Sequence, residues 1–232
     1  KINDPAIIQK VNNVLNNRWI NVDTERIQNY TDLKNDLSGY SPNIIPPNPK
    51  HDLKTFAFYE GYFSNYIEGT EFDYDEAQKI LLENKIIEDR QEDSYDMINT
   101  FQYLLNPLEF PDDENLILAY AQQVHSKIMA GRPGVKPGKL KDKNNRVGNY
   151  YFADRRQVEG TFQEAVKIGK DLKGFERALY YSYILTDVHP FLDGNGRVSR
   201  IILNEILKKE GQQKIFIPSV YRENYLSSLR AL

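Results

Sequence analysis

The sequence predicts a fold of the all-α class, mainly helical with one long loop or small hairpin. Three observations carry this. Apolar residues recur with the period of a helix along most of the 232 residues. Runs that alternate apolar and polar residues are scarce. Helix-denying prolines and glycines gather most densely in two segments, 41–53 and 131–156.

Along the chain, Ile7, Ile8, Val11 and Leu15 form the first stripe. Segment 41–53 holds four prolines and reads as a connector. A helix is predicted over 54–69, with Ser64 and Glu68 four apart on one face and Gly69 at its stop. Glu68 then sits at the negative end of its own helix, unfavourable by a few tenths of a kcal/mol unless a cation such as arginine compensates. Asp73-Tyr74-Asp75 opens the next helix, whose inner stripe is Ala77, Ile80 and Leu81. Further helices are predicted over 92–105, 113–130, 160–188, 197–210 and 221–230. Residues 172–188 are apolar nearly all round, the pattern of a helix at the centre of a bundle.

Segment 131–156 breaks the helical pattern with Gly131, Pro133, Gly134, Pro137, Gly138 and Gly148, and Leu140 to Val147 offers a short extended piece. A long loop or small hairpin is expected. Lys136, Lys139, Lys141, Lys143 and Arg146 make it basic, as either a solvated loop or a contact for phosphate or a target. Gly138-Lys139 misses a Walker A motif: Pro133 stands where a glycine is needed and Leu140 where a hydroxyl is needed, which excludes P-loop chemistry.

Composition narrows the function classes. A hydrophobic content of 40% suffices for a core without staples. Absence of cysteine excludes disulfides and thiolate metal sites, leaving His, Asp and Glu as side-chain ligands. A net charge of -3 gives no basic surface for nucleic acid. No stretch approaches the roughly 18 apolar residues of a membrane span, so a soluble, cytoplasmic protein is expected. The chain starts at Lys1 rather than Met, as a trimmed start does.

The chemistry concentrates in His189-Pro190-Phe191-Leu192-Asp193-Gly194-Asn195-Gly196-Arg197-Val198-Ser199-Arg200. Pro190 disfavours helix at His189, which places the imidazole where the preceding helix ends. Asp193 to Gly196 permits positive φ and a run of backbone N–H groups converging at the start of the next helix, an anion cradle. Arg197 and Arg200, on one stripe with Asn204, would each cost about 0.3–1 kcal/mol at that positive helix end unless a polyphosphate is the guest. Asp193 is a hard oxygen ligand suited to magnesium beside phosphates. His189 has the pKa class to take a proton from an attacking hydroxyl, although a helix C-terminus favours the charged imidazolium. The set describes hydroxyl attack on a bound phosphate.

These twelve residues resemble the signature of the Fic (Fic/Doc) family, His-Pro-Phe-x-Asp/Glu-Gly-Asn-Gly-Arg-x-x-Arg, at every specified position. The resemblance implies a Fic-like helical bundle with a hairpin flap, and a protein adenylyltransferase that moves AMP from ATP to a Ser, Thr or Tyr hydroxyl of a target protein. It implies His189 as the general base and Asp193 as the magnesium ligand. Gly194, Asn195 and Gly196 would form the phosphate cradle, with Arg197 and Arg200 on the outer phosphates. A weaker likeness over 113–232 includes a helix carrying His125, a flap at 136–148 and Tyr225 beside the adenine; Leu140-Lys141 departs from the family's aromatic-Arg pair. Ser64 to Gly69 resembles the family's inhibitory helix, Ser/Thr-x-x-x-Glu-Gly/Asn, whose glutamate pairs with the second signature arginine, here Arg200. Residues 1–90 are then expected to form a regulatory helical region and 91–232 the Fic domain, with a homodimer admitted and neither membrane nor nucleic acid as partner. Removal of AMP from a modified protein and nucleotide sensing without turnover are the rival readings.

Overall fold

The computed structural model describes residues 21–40, 45–48 and 52–231. The predicted stripe at 7–15 and parts of the 41–53 connector lie outside them. Nine α-helices are found among the described residues: α1 (Thr24–Leu37), α2 (Leu53–Ile67), α3 (Tyr74–Glu83), α4 (Gln91–Leu105), α5 (Ile117–Ile128), α6 (Val158–Gly169), α7 (Gly174–Val188), α8 (Asn195–Lys209) and α9 (Arg222–Ala231). Strands β1 (Arg146–Val147) and β2 (Tyr150–Tyr151) pair antiparallel in a two-stranded sheet, with Arg146 opposite Tyr151.

Local chemistry sets the helix ends. Asp73 caps α3 in a reciprocal box with Glu76, and Asp52 caps α2 by accepting from the Thr55 amide. At the other end of α2, Gly69 adopts φ +94°, its N–H reaches the Tyr66 carbonyl and the Thr70 N–H reaches that of Asn65. That is a Schellman stop, and it leaves Glu68 as the C-cap residue.

Two expectations are corrected. The helix predicted over 160–188 is two helices, because residues 170–173 turn between Gly169 and Gly174, the latter at φ +57°. Helix α1 was not foreseen: its inward stripe of Ile27, Tyr30, Leu33 and Leu37 is thin in an otherwise polar segment, and only Tyr30 is fully buried.

Helices α7 and α8, joined by residues 189–194, are the most closely packed pair, and α6, α5 and α2 lie around them. Tyr180, Tyr181, Phe162 and Phe191 fill the core. The two buried phenols donate to the Ala165 and Val166 carbonyls, so burial leaves no phenol unpaired there. Ser182, Thr186 and Ser199 hydrogen-bond across the α7–α8 contact, which fixes the register of the two helices that carry the loop. Helix α1 lies on α6 and α7, and α2 on α4 and α8. None of the described helices is long and apolar enough to cross a membrane.

Candidate active site

Helix α7 stops at Val188 and His189 turns the chain in the left-handed conformation, φ 53° and ψ 62°. Its Nδ1 lies 3.0 Å from the Thr186 carbonyl. A carbonyl only accepts, so the proton sits on Nδ1 and Nε2 keeps its lone pair. The Phe152 ring stacks on the imidazole at 3.6 Å and 11°. Burial holds the His189 pKa down at about 4, the Lys141 charge helping, against the opposing pulls of the Thr186 hydrogen bond, Glu68 and Asp193. The helix-end preference for imidazolium is therefore overridden by desolvation, and the ring is neutral at physiological pH.

The loop after His189 is held from inside. The Asn195 side-chain amide accepts from the Phe191 N–H at 2.9 Å and donates to the Phe191 carbonyl at 3.0 Å. That amide is a brace, so only the Asn195 backbone is left for an anion. His125, fully buried, stacks on Phe191 at 4.0 Å, accepts from the Gly138 N–H at Nδ1 and donates from Nε2 to the Asp193 carbonyl. It ties α5, the flap and the loop together. The first amides of α8, those of Asn195, Gly196 and Arg197, have no intrahelical acceptor. Glu68 Oε1 lies close over Gly196: a Cβ built there would come within 2.1 Å of it, so a larger residue would push the flexible end of the Glu68 side chain aside.

The two arginines separate. Arg200 is buried; its Nε donates to Ser64 Oγ at 2.9 Å and its Nη2 to the Ser64 carbonyl at 2.9 Å and to Glu68 Oε1 at 2.6 Å. Burial opposes its charge, but Glu68, Tyr225 and Glu60 outweigh that and raise its pKa above the ordinary value. The predicted cation for Glu68 is thus Arg200. Arg197 points elsewhere: its Nη1 pairs with buried Asp96 at 2.6 Å and Asn65 Oδ1 at 3.1 Å, and it does not line the cavity. Asp96 also accepts from Arg132 Nε at 2.7 Å. These contacts let Arg197 brace the loop from behind. Arg197→Met is expected to lower unfolding free energy by about 3 kcal/mol, by leaving Asp96 with one partner; urea denaturation measures it, and a loss under about 1 kcal/mol would argue against this buried pairing.

A cavity of about 420 Å³ is lined by His189, Glu68, Gly196, Arg200 and Tyr225, among others. Arg200 lies 5.7 Å from the Tyr225 ring centre, and burial raises the Tyr225 pKa. Ser64 and Gly69 support Glu68 from its own helix end, and Gly194, at φ +76°, starts α8. Asp193 is not in the cavity wall; its side chain is 45% exposed, with Oδ1 accepting from the Gly194 amide and Oδ2 3.7 Å from Arg197. One carboxylate with lone pairs to spare fits magnesium, which takes one or two protein oxygens beside water and phosphate.

Sequence reasoning missed Phe152, the inward turn of Lys141, and Asp187, whose carboxylate accepts from Tyr30 and Tyr150 and pairs with Arg26 Nε at 3.1 Å. It also missed Glu60, buried one turn before Ser64, with Oε1 unpartnered and burial pushing its pKa to about 7 against Arg200. Glu60, Ser64 and Glu68 recur every fourth residue, so that face was legible. The flap contacts had no periodic signal.

Residues 115–207 match the model of the Fic/DOC family. The chain is 29% identical over 112 residues to Protein adenylyltransferase fic-1 of Caenorhabditis elegans, covering 46% of this chain and 22% of that protein. It is 42% identical over 53 residues to Protein adenylyltransferase Fic of Drosophila persimilis, covering 23% of this chain and 10% of that one. It therefore spans about a fifth or less of the length of these relatives. Among solved structures, a Fic domain containing signaling protein from Bacteroides thetaiotaomicron superposes with a TM-score of 0.66 at 22% identity, over 88% of this chain and 80% of that chain. Fic-1 (aa134–508) from C. elegans does so at 0.62 and 20% identity, over 90% and 63%. At these identities the structures speak for the fold, and residues 115–207, with the complete His189–Arg200 signature inside them, make up a Fic/DOC domain.

Proposed function

We propose that the protein is a nucleotidyltransferase that moves AMP from ATP to a hydroxyl side chain of a target protein, held in check by Glu68. One observation carries the reading: an imidazole with its proton fixed on Nδ1 shares a cavity with the Gly196 turn and a buried arginine. The target hydroxyl gives its proton to His189 Nε2 as its oxygen bonds to the α-phosphorus. The bond from that phosphorus to the bridging oxygen breaks, and pyrophosphate leaves with the electron pair. The α8 amides and Arg200 meet the phosphate charge. Asp193 would hold magnesium, which when bound neutralises charge on the phosphate oxygens. Residues 1–90 contribute the regulatory glutamate.

Glu68 supports the brake because it occupies the ground an incoming phosphate needs, between the Gly196 turn and Arg200. The direct test incubates the protein with magnesium and each α-labelled nucleoside triphosphate, then reads intact mass. A covalent gain of one AMP on the protein or on an added target supports the reading. AMP released from a modified protein, with no labelling, would reverse the direction. No covalent change, even without Glu68, would leave a nucleotide-sensing module.

A further inference from the structure

His189 is one of three non-glycine residues among the described residues with positive φ. A left-handed non-glycine residue is strained and persists where its surroundings over-determine it. Those surroundings are the flap, residues 136–152. The Lys141 N–H donates to the Pro190 carbonyl at 2.8 Å, and its ammonium donates to the Val188 carbonyl at 3.3 Å. The Asn145 amide donates to the Phe191 carbonyl at 3.0 Å while its Oδ1 accepts from Lys141 Nζ at 2.9 Å. Three carbonyls around His189 are therefore captured by two flap residues, and Phe152 covers the ring. Lys141 is buried, 4% exposed, and its ammonium donates to Asn145 and the Val188 carbonyl with no carboxylate within ion-pair distance among the described residues. Burying a lysine this far is expensive, and a solvated loop would not do it.

We propose that Lys141 is a positioning residue for the general base, fastening the flap to the backbone on both sides of His189 and fixing the direction of the imidazole. The proposal rests on reading His189 as the base. It also assigns a purpose to the departure at Leu140-Lys141: an ammonium, with three donors on a flexible stem, reaches a carbonyl and an amide oxygen that a planar guanidinium meets in a different geometry. Charge adds to geometry. Burial, with the Arg26 charge next in weight, lowers the Lys141 pKa to about 8, so the ammonium is mainly charged at neutral pH and opposes a second proton on the ring. The charged groups that bear on the imidazole are Lys141 from the flap, Glu68 from α2 and Asp193 from the loop. Arg146, Asp187, Arg200 and Arg222 stand in the same cavity wall.

The test uses the full chain as wild type, Lys141→Met and Lys141→Arg, with ¹³C-labelled histidine. In Lys141→Met the His189 ring signal is expected to titrate about one pH unit nearer neutrality. Its contact to Phe152 is expected to weaken. Where AMP transfer is measurable, kcat is expected to fall about tenfold with KM for ATP within about twofold, since ATP contacts are untouched. Lys141→Arg is expected to restore the titration but only part of kcat. A folded Lys141→Met protein whose His189 titrates and contacts Phe152 as in wild type would overturn the proposal. Should Lys141→Met not fold, Asn145→Ala removes the ammonium's side-chain anchor at a half-buried loop position, and an unaltered His189 signal there would overturn it equally. A changed signal in proteins that transfer no AMP would sink the transferase reading and keep Lys141 as the residue that sets the imidazole.

Discussion

Glu68→Gly is expected to raise the initial rate of AMP labelling from magnesium-ATP by about 10- to 100-fold. Glu68 Oε1 sits 2.6 Å from Arg200 Nη2, a charge-assisted contact on a buried guanidinium. Such a bond is worth about 1.5–3 kcal/mol, and each 1.4 kcal/mol is tenfold. A phosphate that reaches both Arg200 and the Gly196 amide must first displace that carboxylate, so its removal gives the nucleotide back most of this energy. The fold should tolerate the change, because Ser64 keeps two hydrogen bonds to Arg200 and Gly69 keeps the helix stop. Glu68→Gln, which keeps the bulk and loses the charge, is expected to fall between. Labelling rates and calorimetric ATP affinity check both variants. If neither quantity rises in Glu68→Gly, the carboxylate is a surface brace for Arg200 and the brake is wrong.

His189→Ala carries the largest expected loss. Transfer should drop by at least 10²- to 10⁴-fold, the usual contribution of a positioned base. ATP affinity should stay within a few-fold, because Arg200 and the first amides of α8 do not depend on the imidazole. The pH profile adds a second signature. The His189 pKa is lowered to about 4, so the ring is already neutral above about pH 5 and becomes protonated, hence useless as a base, only as pH falls through about 4. An acid limb of kcat/KM near 4 is therefore expected, and it should vanish with the residue. A limb between 6 and 7 would mean an imidazole that water reaches freely, at odds with its half-buried place against Phe152.

What could be read from residues alone was whatever depends on neighbours a few positions apart. Pro190 dictated the end of α7 at His189, Gly69 the end of α2 at Glu68, and the spacing of Ser64 and Glu68 a shared face. The turn before α8 followed from Asp193 to Gly196 for the same reason: the backbone freedom of a glycine, here Gly194 at φ +76°, is local. The helical fold followed because its period is written into every long segment, save α1, where the stripe is thin.

The fold alone decided which of two near-identical arginines faces the cavity. Arg197 and Arg200 are three residues apart; the likeness to the inhibitory helix already pointed Glu68 to Arg200, but nothing in the sequence says that Asp96, about a hundred positions away, claims Arg197. It also decided that desolvation, rather than the helix end, sets the charge of His189, and that Lys141 turns inward beside it. Burial, and pairing between residues distant in the chain, are sums over the packed structure, so they have no value until the helices are in place.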